Sequence, residues 1–479
     1  MLFLIAKNDW RNIRADRTLW AIALLLTTTI LYGVHNGASW VDFQKRTIQG
    51  ALADEAERHA AIKQGIEDAN AGRTSPPSWK DPRSPYAVGY RLGSRFATMP
   101  PAPLAALAVG QSDLLPYYFR VTVNSRDTML GNDELENPVH LLSGRFDLAF
   151  VIIYLFPLVI LAVSYNLISG DKEDGTLALT LSTPVSLPSL AMGKIAFRAA
   201  FVLTLGAVLS VAGALLSGID LSAPGAAPRL LLWMGAVAAY SIFWFGLAVL
   251  INAMGRNSAT NALALSGLWL VFVLLIPSLL NVGIKTAHPV PSRVEMIQAM
   301  RHASDAVTAE RSRLMAEFLE DHPELAPAAS ADTNAQFAVR SVAMTEELER
   351  RIQPVLDEFD KRISRQQQLA DQYRFLSPAI LTQAALYDLA GTGVHRYKHF
   401  LNLAANYHQQ WQAHIQPKMM QTVKLSTASI DELPRWHWQE EDTADVLGRA
   451  GTHTAALALT AAFVIAIGVL ALRRFPVVG

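Results

Sequence analysis

Six apolar runs, separated by ordinary polar sequence, constrain this chain more than any other feature. Crossing a hydrocarbon core as a helix takes roughly 17 to 25 predominantly apolar residues. Runs of about that kind fall at 18–35, 146–168, 195–217, 229–253, 259–280 and 452–472. Backbone polar groups in lipid must be satisfied within the segment, so such runs are read as helices. The predicted fold class is an all-α membrane protein with six transmembrane helices. The first run is short, and a cleaved signal peptide is its alternative reading. That reading is disfavoured because the segment continues past a weak cleavage site and five further spans follow. The composition agrees with a membrane chain: 51% of residues are hydrophobic and 17% charged, against about 25% charged in an average soluble protein. Lys and Arg number 41 and Asp and Glu 41, so no electrostatic case for nucleic acid exists. Cysteine is absent, which excludes disulfides and thiolate metal sites and leaves the redox compartment open.

Orientation follows from Lys and Arg near span ends. Lys7, Arg11, Arg14 and Arg17 precede the first span, Lys172 and Lys194 lie between the second and third with Arg198 at the inner end of the third, Arg256 lies between the fourth and fifth, and Arg473 and Arg474 follow the sixth. Both termini are therefore expected in the cytoplasm, with 1–17 as an interfacial helix, 169–194 as an internal loop and 473–479 as a tail. Two long stretches, 36–145 and 281–451, are left as extracytoplasmic insertions. The first carries Pro- and Ser-rich patches (Thr74 to Pro77, Met99 to Pro101) and reads as irregular. The second reads as mainly helical. Leu348, Ile352, Val355, Phe359 and Ile363 mark one apolar face, with Pro354 expected to kink or end that helix. Tyr397, Phe400, Ala404, Trp411 and Ile415 mark another.

The span interiors are nearly free of ionisable side chains, so coupling to protons or sodium is poorly supported. Asp147 sits at an outer end and Arg198 at an inner one. Asn166, Asn252 and Asn261 lie toward the inner ends, where bonding a neighbouring helix is the commoner role and a substrate contact the sharper one. Driving by ATP requires a phosphate-binding loop. The nearest candidate, Gly193-Lys194, has Pro188 and Ile195 where that loop needs a glycine and a hydroxyl residue. The chain is therefore read as no enzyme, with any ATPase a separate subunit.

Such a subunit needs a docking element. The loop after the second span runs through Asp171, Glu173 and Gly175 into a short apolar helix, Thr176 to Leu181, then stops at Ser182-Thr183-Pro184. Ser186 is placed to cap the next helix, with Pro188 tolerated in its first turn. At the N-terminus, Phe3 and Trp10 share one helical face and Lys7, Arg11 and Arg14 another. This arrangement suits a helix lying in the membrane interface, as an orientation anchor or toward a partner.

These features resemble the permease subunits of type-2 ABC exporters. The resemblance rests on Glu173, Gly175-Thr176-Leu177, Leu181, Ser182 to Ser186 with Pro184, and Gly193-Lys194, in that order after the second span. A weaker likeness, to permeases with large outer insertions of the nitrous-oxide-reductase maturation and gliding-motility type, rests on Ser377-Pro378-Ala379, Ala390-Gly391-Thr392, Arg396-Tyr397 and Phe400. The resemblance implies that Glu173 to Leu181 is a coupling helix received by a groove of a cytoplasmic ABC ATPase. It further implies a second permease copy or paralogue, residence in the bacterial inner membrane, and ATP and Mg used by the partner with no cofactor on this chain. The implied function is an exporter permease. The alternative is a non-transporting module that passes ATP-driven motion to an envelope partner at the ectodomains.

Other features have bland readings. His395 and His399, at i and i+4, could share a metal but lack an evident third ligand. The aromatics Tyr397, Phe400, Tyr407 and Trp411 could line a cleft, with a packed core as default. Trp436 and Trp438, ahead of the last span, read as an interfacial anchor.

Overall fold

The computed structural model describes residues 17–110, 112–124, 146–290, 293–321, 323, 333–421 and 423–475. Phe3, Trp10, Arg11 and Arg14, the residues of the expected interfacial helix, lie outside them. Among the described residues, six helices are long and apolar enough to cross a membrane, and the protein is an all-α membrane protein. These six are α1 (Arg17–Asn70), α2 (Leu148–Glu173), α4 (Leu187–Leu216), α5 (Ala226–Asn252), α6 (Ser258–Ala287) and α13 (Thr443–Leu472), with the short α3 (Thr176–Leu181) between α2 and α4. In their most apolar stretches α5 and α2 are 67% and 61% buried, whereas α6 is 11% buried. The first two form the centre of the bundle. The others turn leucines and valines outward, as helices facing lipid or another chain must.

Helix α1 changes the expected picture of the first insertion. It runs 54 residues, about 80 Å at the usual rise per residue, far beyond a hydrocarbon core of ~30 Å. The insertion turns irregular only after Asn70. Residues 41–70 contain no proline and many Ala, Glu, Gln and Lys, which favour helix; the Pro-rich patches lie downstream of them. Beyond α1, strands β1 (Arg95–Thr98) and β2 (Tyr118–Val121) pair antiparallel, Phe96 opposite Arg120. Gly33 and Gly37 of α1 allow two close approaches. A Cβ on Gly33 would stand 2.8 Å from the Asp147 carbonyl carbon, and one on Gly37 2.0 Å from the Ala106 oxygen.

The second insertion is helical where described: α7 (Arg293–Ala309), α8 (Arg311–Asp321), α9 (Thr333–Tyr373), α10 (Pro378–Ala390), α11 (Val394–Met420) and α12 (Thr427–Asp431). Helix α9 continues through Pro354 instead of ending there. Ile352 is buried, and Leu348, Val355, Phe359 and Ile363 are half-buried, so the apolar stripe does face protein. On α11, Phe400, Ala404, Trp411 and Ile415 are fully buried in an outer core shared with Trp40, Ile66, Phe119 and Val121. Trp436 and Trp438 join this core too. Trp436 donates its ring N–H to the Thr98 carbonyl at 2.9 Å and packs on Phe400 and Tyr407, while the Arg396 guanidinium lies over Trp438. They are tertiary contacts, and the interfacial-anchor reading is replaced: an indole near a span in sequence was drawn away by a partner more than 300 residues distant. The His399 Nε2 sits 2.8 Å from the Gln439 carbonyl.

Helix α10 belongs to the second insertion in sequence but to the membrane bundle in packing. Leu381, Ala385, Leu386 and Leu389 sit in one apolar cluster with α2 and α5. Ser377 caps its start and donates to the Phe272 carbonyl of α6 at 2.6 Å. Gly391 ends it at φ +71°, and a Cβ there would meet Ala102 at 2.4 Å. Arg396, buried, then bonds Glu440 and the Pro100 carbonyl. The motif residues Gly391, Arg396 and Phe400 thus seat one insertion on the other, while Ser377 ties α10 to α6.

Candidate functional site

The end of the bundle opposite the insertions is organised around a break in α2. Its α-helix stops at Ser164, the chain turns through 165–168, and a helical turn resumes over Ser169–Glu173. A helix end leaves carbonyls without partners, and in an apolar bundle each such group costs free energy. Here four neighbouring side chains supply the donors. Arg198 of α4 donates to the Val163 carbonyl at 2.5 Å, and Asn252 of α5 to that of Ser164 at 3.1 Å. Asn261 of α6 donates to that of Tyr165 at 3.3 Å, and Lys194 of α4 to that of Leu167 at 3.3 Å. Asn252 Oδ1 also accepts the Ile168 N–H at 3.2 Å. Asn252 and Asn261 therefore take the helix-bonding role, on one common target.

Below the break the ties continue. Lys194 pairs with Asp171 at 2.5 Å. The Glu173 carboxylate accepts the Ser258 N–H at 2.6 Å and its hydroxyl at 2.8 Å, so it sits on the N-terminus of α6. An anion there is favoured both by the free N–H groups and by the helix dipole. Ser258 Oγ also lies 2.9 Å from Ser169 Oγ. Lys172 stands over the ring of Phe475, which follows α13. The α2–α3 turn, the start of α6 and the end of α13 thus share one end of the molecule.

Gly175, at φ +68°, turns the chain into α3. The six residues of α3 divide by face. Leu177 is 2% exposed, in the same apolar cluster as Leu187 and Leu190, and Leu181 packs half-buried against it. Leu179 points the other way and is 74% exposed. The hydroxyls of Thr180, Ser182 and Thr183 bond carbonyls within the helix, and Ser186 caps α4 with Pro188 in its first turn. The result is a short apolar knob on a stiff polar collar. Of the sequence-predicted residues, Glu173, Gly175, Thr176 and Pro184 are exposed on it, Leu181 is half-buried, and Leu177 faces inward. Sequence reasoning missed Leu179, because a leucine-rich turn does not show which leucine points out. It missed Ser258 too, 85 residues from its carboxylate.

The other end of α2 is equally held. Asp147 is 1% exposed and caps α2 by accepting the Phe150 N–H at 2.7 Å. Its second oxygen accepts the N–H groups of Val109 at 2.8 Å and Gly110 at 2.9 Å, from the first insertion. Burial pushes its carboxyl up to about 6, opposed by those three backbone donors. The Tyr387 ring of α10 lies against Gly110. One helix therefore ends in the α3 knob below and in both insertions above.

Residues 293–439, most of the second insertion, match a family model described as a domain of unknown function (DUF3526). Over 127 residues the chain is 29% identical to the probable ABC transporter permease protein NosY of Pseudomonas aeruginosa, covering 26% of this chain and 46% of that protein. A protein of the same description from Stutzerimonas stutzeri is 31% identical over 134 residues, 27% of this chain and 48% of its own length. The likeness supports an ABC permease family. The chain spans about half the length of these curated relatives.

Proposed function

We propose that this protein is the membrane permease subunit of an ATP-binding-cassette exporter, driven by a separate cytoplasmic ATPase that docks on α3. The observation carrying this reading is the knob itself: Leu179 exposed, Leu177 rooted in the bundle, and the break above it braced by α4, α5 and α6. A docking element must be both apolar enough to bind and stiff enough to transmit a push, and α3 has both properties. The reading places both termini, α3 and the start of α6 in the cytoplasm, the insertions outside the inner membrane, and Mg and ATP on the ATPase. Because one chain offers one knob and ABC ATPases work in pairs, the complex contains two permeases, alike or paralogous. The outward apolar faces of α1 and α6 have room for the second. Co-purification of the ABC ATPase with the chain from its own membranes, before and after Leu179→Asp, tests this. An unchanged yield of ATPase would overturn it.

A second reading is favoured by one feature. Helix α1 passes without interruption from the bundle into the outer core, so motion of the bundle would reach an outer partner directly. In that case ATP would drive displacement of the insertions with no solute crossing. Spin labels at Gly50 and Lys361, measured with and without ATP beside vesicle flux, separate the two.

A further inference from the structure

Helix α9 does not end outside the bundle but descends beside α6. The two are tied at two heights. Gln366 of α9 donates to the His288 carbonyl, just past the top of α6, at 2.5 Å, and Ser377, at the foot of the descent, donates to the Phe272 carbonyl at 2.6 Å. Phe272 lies eight residues before the outer end of the apolar run 259–280, about 12 Å inside it at the usual helical rise. The lower tie has a local cause. Helix α6 widens into a π turn over Leu270–Leu275, in which the Phe272 carbonyl would accept from residue 277, and Pro277 has no N–H. Ser377 supplies the missing donor.

The turn from α9 into α10, Arg374–Leu376, therefore sits at the depth of an apolar span. Its side chains suit that depth. Phe375 is 59% exposed, and Tyr373 and Leu376 are exposed beside it. Near the same level Val271, Leu274 and Leu275 of α6 are exposed too, so the tip extends an apolar surface that a span already presents. The one charge on the tip turns away: the Arg374 Nη1 lies 2.8 Å from the His453 Nε2, near the outer end of the last span, and 3.4 Å from Asp371. Long basic side chains reach out of an apolar layer in this way. Backbone groups in hydrocarbon must be met within the protein. Here Pro378 has no N–H to satisfy, the Ser377 N–H bonds the Arg374 carbonyl at 3.2 Å, and the Ile380 N–H bonds the Ser377 hydroxyl at 3.4 Å.

We propose that the tip from Tyr373 to Leu376 re-enters the bilayer and is covered by lipid acyl chains of the leaflet on the insertion side. Water there would have to wet three large apolar side chains, and a soluble partner would have to follow the tip below the edge of the apolar run. The second insertion, outside the membrane elsewhere, then keeps its own hold on lipid between α6 and α13.

The chain has no cysteine, so Phe375→Cys carries a nitroxide label at one place only. The test is the collision rate of that label, in the full chain in lipid nanodiscs, with oxygen, which concentrates in hydrocarbon, and with a nickel chelate, which stays in water. Lys361→Cys, exposed on α9, is the reference in water. The ratio of oxygen to nickel collisions at position 375 should exceed that at 361 at least fivefold, and Leu376→Cys should behave like Phe375→Cys, each at the melting temperature of the parent chain. A label favouring nickel would put the tip in water, and a label shielded from both would put it against a second copy or another protein. Either result, in whichever of the two variants keeps its melting temperature, would overturn the proposal.

Discussion

Two leucines two residues apart in α3 should fail in different ways. Leu179 is 74% exposed, so it stabilises the isolated chain very little. Buried in a partner's groove, a leucine contributes roughly 1.5 to 3 kcal/mol, which is about ten- to a hundredfold in affinity. Leu179→Asp removes that and adds the desolvation of an unpaired carboxylate, so ATPase binding should fall at least tenfold while the melting temperature of the chain stays put. Leu177 is 2% exposed within the bundle. Leu177→Ala should cost about 2 to 5 kcal/mol of fold stability through lost transfer energy and a cavity. Half-buried Leu181 should respond in between. Leu348→Asp, on the outer helix α9, is the control and should leave ATPase binding intact. The assay pairs thermal unfolding in detergent with quantitative co-purification at matched membrane expression. Normal ATPase recovery and ATP turnover in Leu179→Asp would refute the division of faces. So would loss of binding in Leu177→Ala at unchanged melting temperature.

The clamp on the α2 break predicts that Asn252→Leu, which orphans the Ile168 N–H and leaves the Ser164 carbonyl only a long bond from the Leu167 N–H, costs about 1 to 3 kcal/mol; co-purified ATPase should persist while its turnover loses dependence on the permease. Gly37→Ala should lower the melting temperature strongly, since its Cβ would stand 2.0 Å from the Ala106 oxygen, whereas Gly50→Ala, with nothing within 4 Å, should be neutral or stabilising by about 0.5 to 1 kcal/mol. Asp147, whose carboxyl is raised to about 6 from 3.8, binds its proton more tightly folded than unfolded. Wild type should therefore lose stability relative to Asp147→Asn as pH rises from about 4 to 6 and show no further change above, read from paired melting curves; a difference that grows in wild type's favour over that range would contradict the sign.

Much of the site was legible in residue order. The hydroxyl-proline stop, the Ser186 cap and the acidic glycine-broken entry each act through neighbours within a few positions, so spacing alone locates the knob. The asparagines at the inner ends stood out because an amide in lipid demands a partner. Their common target was not legible, because nothing in the apolar run 146–168 marks Ser164 as the place where the helix breaks. The break is braced chiefly by donors from 27 to 96 residues away. Likewise Glu173 looks in sequence like a free surface carboxylate, and only the approach of Ser258 shows it to be a helix cap.

The insertions show the limit from the other side. Averaged over 36–145, the composition is mixed and proline-marked, which hid a proline-free helical first third that continues α1. The second insertion reads correctly as helices because its apolar stripes recur at three and four within single elements. Its closing tryptophans were misplaced, since adjacency to a span is a local cue while the Trp436–Thr98 bond spans 338 residues. Period and capping are encoded locally; the surface that a stripe will cover is set by whichever distant element shares its shape. Gly33 and Gly37 are the nearest thing to a local signal for such a meeting. Two glycines one turn apart in a helix that gains nothing from them conformationally mark a place where another backbone passes close, here the Ala106 turn and the start of α2.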